Sequence, residues 1–326
     1  MRFEIRKMLL RTNTLIFLYV LLFLFLGTLI YGTRGMKAAD SLGDYLGNYN
    51  SEEELRILAE ENKVSFEENK EEYESLGWDM EPLYYRMMVF DYAVKNGITQ
   101  KAAVVFFESC PFTTRDSVGM MLTVNLIILM CMLFAACYLS VTMVARDFSG
   151  KQSRFLYSGN SRLSVLKDKI GAYLLSLTVI YLVLQLIGAV LGRLFATEID
   201  TVLLLVNGEV TGMSFPMVQL LEGLGGILQL LPGVLSFFAV AALTRREEAA
   251  VITDVLLFLL IFLLAGDLGA EKENAVLTLV GTNPFYAVGY GYGSFGEWLK
   301  AYAAEILPTL VLGILGILSF RKAKIR

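Results

Sequence analysis

The sequence predicts an all-α integral membrane protein: six transmembrane helices, an N-terminal interfacial helix, and a small, mainly helical ectodomain between spans one and two. Three observations carry this. Of 326 residues, 56 % are hydrophobic, at a mean hydropathy of +0.57, more than a soluble chain of this length can cover with polar surface. Apolar runs long enough to cross a bilayer recur along the chain. Positive charge collects in alternate connections, the pattern of segments facing a cytosol.

Residues 1–14, MRFEIRKMLLRTNT, put Met1, Ile5, Met8 and Leu9 on one helical face and Arg2, Arg6, Lys7 and Arg11 largely elsewhere. Phe3 and Leu10 interrupt the stripe. This reads as an interfacial helix on an anionic leaflet, leading into a first span that ends near 32. A secretory signal peptide is the rival, but Leu15 to Tyr31 exceeds the usual apolar core and MKAAD is a poor cleavage site, which favours a retained anchor.

Residues 33–117 differ in kind, with 17 Asp/Glu against 9 Lys/Arg. Leu42, Tyr45, Leu46 and Tyr49, then Leu55, Leu58 and Ala59, recur at helical spacing. Ala102 to Glu108 suits either a strand or a buried helical segment. About 85 residues can build a small core, so a compact acidic domain outside the membrane is expected. That acidity could attract cationic ligands or simply be a solvated face.

Residues 118–326 then hold five further spans: 118–144, 170–195, 215–243 with Pro232 inside, 250–265 and 299–320. Residues 196–214 read as a short external loop, TRREE as an inner turn, and 266–298 as an external re-entrant segment rich in Gly and aromatics. The connections assigned to the cytosol carry 16 Lys/Arg, whereas the short external ones carry Arg193, Lys272 and Lys300 alone. Both termini are therefore expected in the cytoplasm and the acidic domain outside.

The loop 146–169, RDFSGKQSRFLYSGNSRLSVLKDK, carries six bases and two acids. Ser149 with Gln152 has capping-box spacing, Gly159 offers a left-handed stop, and Asn160-Ser161 can cap the next helix. A short cytosolic helix suited to docking results, unless the loop is basic for topology alone.

This order of parts resembles the permease subunit of the ABC-2 type of ABC transporters, across most of the chain except the acidic domain. The matching features are residues 1–14, the loop just described, and TNPFYAVGY (Thr282–Tyr290) before the last span. By position, the resemblance assigns coupling to an ATPase to Asp147, Gly150, Lys151, Arg154, Phe155, Leu156 and Arg162, with Ser161 and Lys169 completing the pattern. Asp147 stands where many relatives have Glu. The resemblance implies a permease of a plasma-membrane exporter paired with a second, identical or homologous permease. Two copies of a separate ATP-binding cassette subunit would bind ATP and Mg.

The chain has no phosphate cradle of its own: Gly150-Lys151 is followed by Gln152, and Ala145 occupies the first glycine position of a P-loop. No cofactor and no catalytic role are therefore expected on it. There is no histidine, and three cysteines do not make a metal framework, so no metal centre is expected either. Nothing basic and aromatic is arranged for nucleic acid.

Candidate path residues lie on the fourth span, where Gln219, Glu222, Gly226 and Gln229 share one helical face. Polar groups at membrane depth usually face a cavity, a partner or each other. Glu305 on the sixth span is expected level with Glu222, and Arg193 close to both. They either meet a cationic or amphipathic cargo, a peptide or a drug-like molecule, or form a structural ion pair. Ion or lipid exporters share this architecture, and a peptide-sensing or immunity protein remains an alternative. AVGYG (287–291) approaches a potassium-channel filter, but Ala287, Pro284 and Ser294 depart from it, and a packing role for this stretch and for Gly188-x-x-x-Gly192 is preferred.

Overall fold

The structure, a computed structural model, describes residues 12–33, 51–77, 80–98, 102–104, 117–146, 162–196, 198–206, 208–244, 246–256 and 295–322. Helix α1 spans Thr12–Thr33, α2 Glu52–Ser75, α3 Glu81–Asn96 and α4 Ser117–Ser140, the last extended by a π-helical turn, Val141–Ala145. Helix α5 spans Arg162–Phe195 and α6 Phe215–Thr244. Helix α7 is described over 247–256, and α8 spans Phe295–Lys322. Five of these, α1, α4, α5, α6 and α8, contain stretches long and apolar enough to cross a membrane. The chain is a helical membrane protein. The first seven residues of the expected 250–265 span fall in α7 and the rest lie outside the described residues.

Apolar side chains explain the packing order. Phe17, Leu21, Phe25 and Leu29 recur every fourth residue on α1 and are buried, while its other faces are bare. Phe17 stacks on Tyr138 of α4 with ring centroids 3.9 Å apart. Helix α4 is buried nearly all round, at the centre of the bundle, against α1, α5 and α6. Residue Gly188 packs on Val124, so the first glycine of Gly188-x-x-x-Gly192 serves close helix contact, whereas Gly192 faces open space.

Helix α8 packs along α6. Pro232 has no N–H to give the Leu228 carbonyl four residues back, and the Tyr302 hydroxyl donates to that oxygen instead, at 2.9 Å. Further along, a methyl group on Gly316 would sit 3.4 Å from the Ala239 carbonyl, so the two backbones nearly touch.

Where the sequence predicts a short external loop, the structure has a β-hairpin. Strand β1 (Ala102–Val104) pairs in parallel with β2 (Thr201–Val206), which pairs antiparallel with β3 (Glu209–Ser214). The acidic domain, helical over most of its described residues, thus adds one short strand to a sheet whose other two strands come from the connection between α5 and α6. Alternation along β2 shows why. Leu203 and Leu205 face a core with Leu55, Val89, Phe90 and Val104, while Val202 and Leu204 face Val118, Met121, Leu122 and Val218 at the ends of α4 and α6. A strand covered on both faces reads as a near-continuous apolar run, and residues 202–206, VLLLV, do.

The sheet marks one end of the bundle. The other is marked by a 3.8 Å contact between Arg146 and Glu247, which joins the end of α4 to the start of α7. Residue Arg162 heads α5, and the helix begins eight residues before the expected span.

Candidate functional site

Polar side chains on three apolar helices converge below the sheet. Asn125 comes from α4, Tyr181 and Gln185 from α5, and Gln219, Glu222 and Gln229 from α6. Gln185 Nε2 donates to Asn125 Oδ1 at 2.9 Å and to the Tyr181 hydroxyl at 3.1 Å. The Tyr181 hydroxyl in turn donates to the Gly223 carbonyl at 2.6 Å. That reach needs Gly226, because a Cβ there would lie 2.7 Å from the Tyr181 oxygen.

Two adjoining cavities follow this seam. The larger, about 60 Å³, is lined by Asn125, Tyr181, Gln185, Glu222, Gly226 and Gln229 among apolar neighbours. The smaller, about 20 Å³, shares Asn125 and Gln185 and continues towards the sheet to Arg193 and Gln219. Glu222 is 1 % exposed. Among the described residues, the polar lining of the larger cavity contains one acid, Glu222, beside amides and a phenol.

Four of the five path candidates therefore border these cavities: Gln219, Glu222, Gln229 and Arg193. Among the described residues Arg193 makes no ion pair, so the structural Arg193–Glu222 bridge is not formed. The side chain of Glu305 lies outside the described residues.

Sequence reasoning missed Asn125, Tyr181 and Gln185. The signal was available, since lone amides in apolar spans commonly bond across helices. Of the coupling candidates, Asp147, Gly150, Lys151, Arg154, Phe155 and Leu156 lie outside the described residues, as do residues 1–11 and Thr282–Tyr290; of Arg162 the helical backbone alone is described.

The root of the 146–161 loop is described and unusually polar. Lys169, 0 % exposed, donates from Nζ to the Met143 carbonyl in the π-helical turn at 2.7 Å. Tyr173 donates to the Val234 carbonyl at 2.9 Å, tying α5 to α6. Ser140 Oγ lies 2.8 Å from both the Cys137 carbonyl and Asp254 Oδ2 on α7. Single π-helical turns within α-helices occur frequently at functional positions. No protein-family model, no curated protein and no solved structure matches the chain.

Proposed function

We propose that the chain is the transmembrane permease subunit of an ATP-driven exporter of the ABC-2 type. It would work in the plasma membrane, with both termini cytoplasmic, moving an amphipathic peptide or drug-like molecule outward. A separate ATP-binding cassette subunit, two copies per complex, supplies ATP and Mg chemistry, and a second permease, identical or homologous, completes the path. The observation that carries this reading is the polar seam of Asn125, Gln185, Gln219, Glu222 and Gln229 on three membrane helices. Its cavities have room for a few waters at most, far short of the roughly 300–1,000 Å³ that encloses a drug-sized ligand. Cargo therefore requires α4, α5 and α6 to separate, the kind of motion that alternating access supplies.

The buried contacts of Lys169 and Ser140 give that motion a handle. A force on the 146–161 loop reaches the π-helical turn and α5 directly, since both leave from its ends. A lipid exporter of the same architecture is the second reading. An apolar recess of about 70 Å³, lined by Met132, Leu174, Leu177, Ile227 and Val234, shares Tyr181 and Leu230 with the polar cavity, and would suit an acyl chain beside a polar head.

The test is reconstitution with a co-expressed ATP-binding cassette subunit. Glu222→Gln keeps size and removes charge, and is expected to lower export of a cationic amphiphile while complex assembly and basal ATP hydrolysis persist. Lys151→Glu with Arg154→Glu, or Phe155→Asp, is expected to abolish transport-coupled hydrolysis with membrane insertion intact. Unchanged export by Glu222→Gln removes the path assignment, and stimulated turnover that survives the loop changes removes the docking assignment.

A further inference from the structure

We infer that Asp254 is a proton-binding site, held in the bundle as the neutral acid with its proton donated from Oδ2 to Ser140. This follows from counting hydrogens. The Ser140 hydroxyl owns one hydrogen, yet two oxygens stand 2.8 Å from it, the Cys137 carbonyl and Asp254 Oδ2. A carbonyl can only accept. If Asp254 were a carboxylate it too could only accept, and one hydrogen would serve two acceptors. If Asp254 carries a proton on Oδ2, that proton goes to Ser140 Oγ and the serine hydrogen goes to Cys137. Every hydrogen then has one acceptor.

The surroundings point the same way. Asp254 is 0 % exposed, and among the described residues its Oδ1 has no hydrogen-bond partner. A buried carboxylate keeping one shared hydrogen bond would be far costlier than a buried acid. No described base forms an ion pair with it. Among the described residues, the titratable groups near enough to interact with it electrostatically are Cys137 of α4 and Tyr173 of α5, and neither supplies positive charge. Lys169 instead reaches the Met143 carbonyl, and Arg146 meets Glu247 at the rim.

The position gives the proton a consequence. Ser140 immediately precedes the π-helical turn at the root of the 146–161 loop, so the Ser140–Asp254 bond joins that root to α7. Movement that parts the two admits water to Asp254, whose O–H bond then breaks. The proton passes to water and leaves a carboxylate that cannot return to the closed contact without taking a proton back. Neither the cargo nor the partner ATPase enters into this chemistry.

Difference infrared spectroscopy on the full-length protein in lipid tests it. Subtracting the Asp254→Asn spectrum from the parent at neutral pH is expected to reveal the carbonyl stretch of one protonated carboxylic acid. A difference showing carboxylate bands alone overturns the proposal. In Ser140→Ala the same acid band is expected to shift in frequency, and an unshifted band overturns the assigned bond. Asparagine reproduces the shape and neutral donor of the acid, so Asp254→Asn is expected to melt with the parent. Loss of folding in that variant counts against a neutral Asp254. The parent-minus-Ser140→Ala spectrum then decides independently: a shifted acid band sustains the proposal, and its absence overturns it.

Discussion

The Tyr181 hydroxyl occupies space that a glycine leaves open. It donates to the Gly223 carbonyl at 2.6 Å, and a methyl group on Gly226 would meet it at 2.7 Å while remaining 3.7 Å from the ring carbon behind it. Gly226→Ala must therefore expel the hydroxyl, combining overpacking with a lost hydrogen bond, for an expected cost of about 1–3 kcal/mol. Tyr181→Phe loses the hydroxyl's two hydrogen bonds, to Gly223 and from Gln185, without overpacking, at about 1–3 kcal/mol. Because the clash is with the oxygen and not the ring, the double variant should be no less stable than Tyr181→Phe by itself. Thermal melting of the three variants in mild detergent checks this. A double variant that shows the sum of both losses would mean that the two side chains do not meet. The polar seam inherits the outcome, since Gln185 donates to the same hydroxyl.

Between elements, the decisive contact is the sheet that ties the acidic domain to the membrane bundle. Leu203 is fully buried between α2, α3 and β1, one residue from side chains that pack on α4 and α6. Leu203→Ala is expected to cost roughly 2–5 kcal/mol locally and to free the acidic domain from its seat. Limited proteolysis would report faster cutting within residues 51–98, with α4–α6 left intact; an unchanged digestion rate would show that α2 and α3 hold without the hairpin. The membrane helices were legible from hydropathy, and the stop at Phe195 and start at Phe215 fall where the expected spans end and begin. The hairpin was not read, although Asn207-Gly208 between two strand-like runs is a strong short-range hairpin signal, and Gly208 does take a positive φ of 81°. A strand buried on both faces shows no alternation, which hid β2. Its pairing with β1 joins residues nearly a hundred positions apart, which no local pattern reveals. The site was half legible for a similar reason. Gln219, Glu222 and Gln229 share a helix and display their spacing, whereas Asn125 and Gln185 meet them through helix packing alone.

At the scale of the whole molecule, the two ends of the bundle differ in charge. The sheet end carries the acidic domain, with 17 acids against 9 bases over residues 33–117. The end where Arg146 meets Glu247 also holds the basic 146–169 segment. Bases close to a membrane resist transfer, so this end is expected in the cytosol. The sheet narrows the alternatives: β1, before α4, pairs with β2, after α5, so residues 51–98 and the α5–α6 hairpin must share one side. A reversal would have to carry both across together and bring the 16 bases of the opposite end outside. Cysteine labelling distinguishes the two orientations once Cys110 is replaced by Ser. Glu71→Cys lies on the exposed face of α2 and is expected to react with a membrane-impermeant maleimide on intact cells. Glu247→Cys is expected to react after permeabilisation alone. If Glu247→Cys is labelled on intact cells and Glu71→Cys is not, the orientation is inverted, and the 146–169 loop could not meet an ATPase in the cytosol. If both are labelled, residues 51–98 and the start of α7 lie on the same side, and neither the charge asymmetry nor the number of spans between them has been read correctly.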